Sequence, residues 1–310
     1  MVARLIGVLL GVACALMSGA DVLAATTSSV TFPSIGSGET IPAKLIVPDG
    51  AGPFPAIVIV HDCSGLGPRS SGAPGRWADE LVPQGYAVLM PDSFTPRDLP
   101  KGVCYLPADQ SNKANGAVRA ADAYGGLAFL RTRPEIDGKR IGLMGGSHGG
   151  WTTLSAMYQP VDPKNPLISA KRDGFTAAIA LYPSCAAQYG NWRTKRENGI
   201  NGPPVSYTGV YKPIAPLLIL IGEKDDWTPA EPCRRLTDIS QKAGYPVAIK
   251  VYPGAYHGFD SSSPTRYDPK RHNASVPSGQ GATTGGNPEA WADAKVQVRD
   301  FFVRHLKGAP

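Results

Sequence analysis

Arg140-Ile141-Gly142-Leu143-Met144-Gly145-Gly146-Ser147-His148-Gly149-Gly150 runs a short apolar stretch straight into a glycine-rich turn, and Gly149 to Tyr158 then carries a helical pattern. The turn fits G-x-S-x-G between a strand and a helix, a context in which a strained bend lifts a serine hydroxyl out of a sheet. Small flanking residues allow so tight a turn. Glycine-rich turns after strands also cradle phosphate, but this one departs from G-x-G-x-x-G and is not followed by Lys-Ser or Lys-Thr. Ser147 is therefore expected to be a nucleophile.

Outward from that turn, strand-like and helix-like stretches alternate from Val30 onward. Strands are expected at Thr40 to Val47, Ala56 to Val60, Tyr86 to Met90, Phe175 to Tyr182, Leu217 to Ile221 and Val247 to Tyr252. All but the first read as continuous apolar runs buried on both faces of a sheet. Helices are expected at Gly75 to Gln84, Ala114 to Arg131, Ala230 to Ala243 and Pro288 to His305. Such alternation implies βαβ crossovers and a largely parallel sheet covered by helices, the α/β class. Pro183 to Pro216 and Ser261 to Asn287 do not fit the rhythm; loops that long are usually lids or mobile segments. Without a repeat or a linker, residues 26–310 read as one domain.

A serine hydroxyl needs an oriented base, so this turn predicts Asp or Glu and then His further along the chain. After the strand ending at Ile221 comes Gly222-Glu223-Lys224-Asp225-Asp226-Trp227-Thr228-Pro229, and after Tyr252 comes Pro253-Gly254-Ala255-Tyr256-His257-Gly258-Phe259. Both runs lie at carboxyl ends of strands, the edge where open α/β sheets bind ligands. His257 is the expected base. Asp225 is preferred as its partner, with the adjacent Asp226 as the alternative. His61 comes too early, His148 adjoins the nucleophile, His272 sits in a polar loop and His305 near the last helix end. The intermediate's oxyanion also needs donors. The backbone N–H groups of His148 and of Cys63, in the loop His61-Asp62-Cys63-Ser64-Gly65-Leu66, are the candidates. Tyr105, Trp151, Tyr182, Trp227 and Phe259 lie near these loops and could line a substrate pocket or simply pack.

Composition narrows the function classes. Hydrophobic residues at 42% and charged residues at 18% exclude wholesale disorder. The net charge of +6 comes from scattered basic residues, without the dense stripe that nucleic-acid binding requires. Residues 1–25 read as a signal peptide: Arg4, the apolar run Leu5 to Met17, and small residues at Ala24-Ala25. Thirteen apolar residues are too few to span a bilayer as an uncleaved anchor. Cys14 only weakly fits a lipoprotein box. The expected location is the periplasm or outside the cell, with no membrane span left after cleavage. Cys63, Cys104, Cys185 and Cys233 remain, and an even number in an oxidising compartment suggests two disulfides in one of three pairings. No spacing suggests a metal site.

At these motifs the chain resembles the dienelactone hydrolase family of α/β-hydrolases, from about Val30 to Lys307. His61 to Gly65 looks like the family's oxyanion loop, Pro91-Asp92-Ser93-Phe94 like the segment after its next strand, and Gly145 to Gly149 like its nucleophile turn. Gly222 to Pro229 is similar to its acid loop, where the pattern supports Asp225 over Asp226, and Ala255 to Phe259 to its histidine turn. The sequence departs from the family's bacterial members, which are cytoplasmic and carry a cysteine nucleophile. Asp62 stands where they have a Glu. Arg97 resembles the first of their two carboxylate-binding arginines with an offset of one residue, and Ser261 takes the place of the second. The resemblance implies the α/β-hydrolase fold, the pairing Cys63–Cys104 and Cys185–Cys233, and a serine hydrolase of a carboxylic ester or lactone, without cofactor or metal. A peptidase of the prolyl oligopeptidase type and a non-catalytic binding module on the same fold are the competing expectations.

Overall fold

The computed structural model describes residues 25–160, 164–165, 167–197 and 201–308. The expected leader, with Cys14, lies outside the described residues except for Ala25. The chain opens with β1 (Ala25–Pro33), β2 (Thr40–Pro48) and β3 (Phe54–Val60), then α1 (Ala73–Leu81), β4 (Ala87–Pro91) and the short α2 (Ala108–Ser111). It continues with α3 (Gly116–Arg131), β5 (Ile136–Gly146), α4 (His148–Met157), α5 (Ile168–Arg172) and β6 (Ala177–Leu181). The second half contributes β7 (Arg193–Arg196), β8 (Pro204–Thr208), β9 (Leu217–Gly222), α6 (Ala230–Lys242), β10 (Val247–Tyr252), β11 (Arg266–His272), β12 (Gln280–Thr284) and α7 (Pro288–Phe302).

Eight of these strands form one sheet in the order β1-β2-β4-β3-β5-β6-β9-β10. β1 to β4 pair antiparallel in that order, and every other neighbouring pair is parallel. Parallel neighbours need crossovers, and the helices that make them cover both faces. Gly126 of α3 lies against Leu89, whereas Gly142 of β5 lies against Phe302 of α7, so these helices take opposite sides of alternating positions. Trp77 of α1 meets Trp291 of α7 edge-on, with centroids 4.5 Å apart. The central strands β4, β6 and β9 are buried at every residue, as their unbroken apolar runs require.

The expected elements recur with small shifts at their ends, with three differences. Val247 to Tyr252 is an edge strand rather than a doubly buried one, with Ala248 and Lys250 exposed and only β9 beside it. β1 precedes the first expected strand, in residues with no expected element; it is an exposed edge held by its pairing with β2. The two long segments each fold into an antiparallel hairpin, β7–β8 and β11–β12. The hairpins touch, because Arg196 Nη1 donates to Gly202 O at 2.6 Å and Ala274 O at 2.9 Å.

Candidate active site

Three crossovers meet at the carboxyl edge of the sheet. Between β5 and α4, Ser147 adopts φ 56° and ψ −115°, a conformation that costs a non-glycine residue on the order of 1–3 kcal/mol. The glycines around it follow from packing. A Cβ on Gly149 would lie 2.2 Å from Val60 O, and one on Gly145 would lie 2.6 Å from Gly149 O. Strand β3 thus passes too close to the turn for any side chain, and the bend points the Ser147 hydroxyl into a cleft.

The loop after β10 brings His257 Nε2 to 2.8 Å from Ser147 Oγ. The loop after β9 brings Asp225 Oδ2 to 2.8 Å from His257 Nδ1. A carboxylate only accepts, so Nδ1 carries the proton and Nε2 is left to accept from the serine. Asp225 Oδ1 in turn accepts from the backbone N–H groups of Trp227 at 3.0 Å and Thr228 at 2.8 Å. Thr228 Oγ1 lies 3.0 Å from Asp225 Oδ2 and 3.1 Å from His257 Nδ1, clasping the pair from the side. Rings of Tyr182 and Trp227, each with its centroid 4.8 Å from the imidazole, flank His257. Asp226 points elsewhere: its carboxylate accepts from Thr283 N at 2.8 Å and Thr283 Oγ1 at 2.7 Å, anchoring the β11–β12 hairpin.

The two expected oxyanion donors come from loops that one buried residue joins. Arg119 of α3, fully inaccessible, donates from Nη2 to His61 O at 2.7 Å and from Nη1 to His148 Nδ1 at 2.6 Å. His61 precedes the Cys63 loop, and His148 opens α4, so a single guanidinium ties both walls together. Burial, reinforced by the Arg119 charge, holds both His61 and His148 well below the usual imidazole range. Both rings are therefore neutral near pH 7. Arg119 itself is pulled down to about 10 by burial, against the opposing pull of Asp122.

Ser147 stands between two chambers bordered in common by Cys63, Cys104 and Trp227. One, of about 460 Å³, includes His257, Tyr105, Tyr182 and several arginines. The other, of about 380 Å³, includes His148, Trp151, Val103 and Leu106. Tyr105, Trp151, Trp227 and Tyr182 thus border the cleft, while Phe259 borders neither chamber and packs against Tyr182 and Tyr252. Arg97 corrects the expectation of a substrate contact. It is turned inward, donating to Asp122 Oδ2 and Oδ1 at 2.8 and 2.9 Å and lying 2.5 Å from Glu39 Oε2. A buried guanidinium must be paired, and these partners leave it nothing for a ligand.

Cys63 bonds Cys104 and Cys185 bonds Cys233, as the resemblance implied. Among the described residues no helix is long and apolar enough to cross a membrane. Sequence reading missed Arg119, Thr228 and Asp260. Thr228 was reachable, since it stands in the quoted acid loop. Asp260 lies three residues past His257 and accepts from Trp77 Nε1 at 2.7 Å and Tyr182 OH at 2.8 Å, fixing the histidine loop to α1 and to the residue after β6. Burial raises its carboxyl above the usual range.

Comparison with known proteins follows the same lines. The chain is 22% identical over 294 residues to the "Putative carboxymethylenebutenolidase" of Synechocystis sp., covering 91% of this chain and 98% of that one. It is 27% identical to human acyl-coenzyme A thioesterase 1, covering 85% of this chain and 63% of the thioesterase. Its fold matches the crystal structure of a dienelactone hydrolase-like promiscuous phosphotriesterase from metagenomic libraries, with a TM-score of 0.60, 17% identity, and coverage of 91% and 99%. The model of the dienelactone hydrolase family matches residues 41–305, and the chain, an α/β-hydrolase by fold, belongs to that family of hydrolases.

Proposed function

We propose that this protein is an exported serine hydrolase that cleaves a carboxylic ester or lactone through an acyl-Ser147 intermediate. The observation that carries the reading is the unbroken hydrogen-bonded line Asp225–His257–Ser147, two links of 2.8 Å built from three separate loops. In the forward step His257 Nε2 takes the Ser147 proton as Oγ bonds the substrate carbonyl carbon. Asp225 holds the imidazole tautomer and stabilises the imidazolium. The N–H groups of Cys63 and His148 receive the oxyanion, and the neutral His148 ring adds no charge that would need screening. His257 then returns its proton to the leaving oxygen, and water repeats the sequence on the acyl-enzyme. Export is supported by the leader-like residues 1–25 and by two disulfides.

The test is covalent labelling with a fluorophosphonate, followed by hydrolysis of nitrophenyl esters and aminoacyl anilides. An adduct on Ser147, ester turnover and no anilide turnover are expected. Ser147→Ala should lose both label and turnover, with a drop in kcat on the order of a millionfold. Labelling absent from folded protein would instead identify a binding module, and anilide cleavage a peptidase.

A further inference from the structure

The two chambers differ in chemistry, and His257 borders only one of them. On the hydrolase reading above, His257 gives its proton to the leaving atom, so the leaving group lies in the 460 Å³ chamber and the acyl group in the other. The leaving-group chamber is walled by Arg69, Arg76, Arg266 and Arg271, against the carboxylates of Asp62 and Asp260. Both acids are already engaged. Asp62 accepts from Ser64 N at 2.7 Å, from Ser64 Oγ at 2.5 Å and from the Ser71 hydroxyl. Asp260 is buried under Trp77 and Tyr182. Arg76 donates from Nε to Asp260 O at 3.0 Å and from Nη1 to Ser71 O at 2.8 Å, which fixes its guanidinium to the loops at the chamber's edge. Arg271 stacks 4.8 Å from the Trp227 ring, with Nε 3.5 Å from Asp268 Oδ2. Arg69 and Arg266 are exposed and form no ion pair with any described residue. The opposite chamber sets Val103, Leu106 and Trp151 beside uncharged polar residues such as Asn112 and Ser275, and the one guanidinium there, Arg196, is bound to two carbonyls.

We infer that the substrate is an ester of an apolar acyl group whose leaving alcohol or thiol carries an oxyanion, a carboxylate or a phosphate, held by Arg69 and Arg266. The arrangement places two guanidinium groups without an ion pair where the product alcohol departs, whereas the acyl chamber is bordered by the guanidinium of Arg196 alone, its Nη1 engaged by two carbonyls. A bound oxyanion gains bidentate pairing with guanidinium groups that otherwise face water.

Four butyrate-sized esters test it by pH-stat, with rates normalised to alkaline hydrolysis. These are phenyl butyrate, meta-carboxyphenyl butyrate, meta-phosphonooxyphenyl butyrate, and phenyl hemisuccinate, which moves the charge to the acyl side. The expected kcat/KM favours at least one of the two anionic leaving groups over phenyl butyrate by about tenfold at low salt, and the advantage shrinks as salt screens it. Whichever of the two is preferred identifies the group as carboxylate or phosphate. Arg69→Gln/Arg266→Gln should erase the preference by lowering kcat/KM for the anionic esters by about the same tenfold. A preference for the neutral ester, an equal gain for hemisuccinate, or a preference surviving in the double variant would overturn the inference. Fluorophosphonate labelling of Ser147 without turnover of any ester would overturn the substrate class alone. Neither labelling nor turnover would remove the hydrolase reading and this inference with it.

Discussion

Two adjacent carboxylates in one loop have opposite duties, and geometry divides them. Asp225 is buried against His257 and takes two backbone N–H groups on its second oxygen; Asp226 serves Thr283 in the hairpin. Asp225→Asn replaces the obligate acceptor with a group that can present N–H to Nδ1, favouring the wrong tautomer. We expect kcat to fall by about 10³–10⁴ with little loss of stability. Asp226→Asn keeps one acceptor for Thr283 and should change kcat less than about threefold while destabilising the fold by about 1 kcal/mol. Steady-state kinetics and urea melts on both variants check this; a larger kinetic loss in Asp226→Asn would reverse the assignment. Arg119 makes a third case. Arg119→Gln cannot reach His61 O and His148 Nδ1 together, so one wall of the site loses its tie. A drop in kcat of about 10–100-fold with KM nearly constant is expected, because the lost order concerns groups that stabilise developing charge more than bound substrate.

At the scale of elements, the loops that carry chemistry are each fastened to something stiff. The Cys63 loop is bonded to Cys104, and His272 N donates to Cys104 O at 3.3 Å, so the β11–β12 hairpin leans on the same bridge. Trp227 Nε1 donates to His272 O at 2.8 Å, which joins the acid loop to that hairpin. The second bridge ties the loop after β6 to α6, and neither of its cysteines borders the cleft. The loops closed span 41 and 48 residues. Chain entropy gives each bridge about 4 kcal/mol as an upper figure. Cys104→Ala and Cys185→Ala should therefore lower stability by similar amounts, but only Cys104→Ala should also reduce kcat at a temperature where both stay folded. Denaturant melts paired with ester kinetics read both quantities; equal kcat in the two variants would show that the first bridge does not hold the oxyanion loop. These elements were unevenly legible. The three loops after β5, β9 and β10 each carry their signal within one contiguous run beside an apolar strand, which is why the meeting of Ser147, Asp225 and His257 could be read. The hairpins could not, since β7 and β8 are short, polar and without a buried face, so no period marks them. Arg97 and Arg119 show the same boundary: nothing local tells whether an arginine beside a site points toward ligand or into the interior.

For the whole molecule, the buried ionisable groups set how folding responds to pH. Lys171 of α5 is 3% exposed, and its Nζ donates to Ser155 O at 2.9 Å and Tyr158 O at 2.8 Å. Burial lowers its pKa to about 7, whereas an unfolded lysine titrates near 10.4. Between these values the unfolded chain holds one more proton than the folded one, so stability rises with pH across that window. Below about pH 7 both states are protonated and the contribution is constant at its least favourable. The buried tyrosines Tyr182, Tyr189 and Tyr211 act in the opposite direction, because burial raises their pKa values well above the ordinary one. Above about pH 10 the unfolded chain loses those protons first and stability falls. Thermal melts at fixed ionic strength should therefore show Tm climbing from pH 7 toward a maximum near pH 10 and declining beyond it. Lys171→Met removes the group that titrates while keeping an unbranched apolar stem against Tyr158. In that variant the climb, at most about 1.4 kcal/mol per pH unit, should flatten while the alkaline decline persists. A climb that survives in Lys171→Met would mean that another group carries the linkage and that Lys171 stays charged when buried.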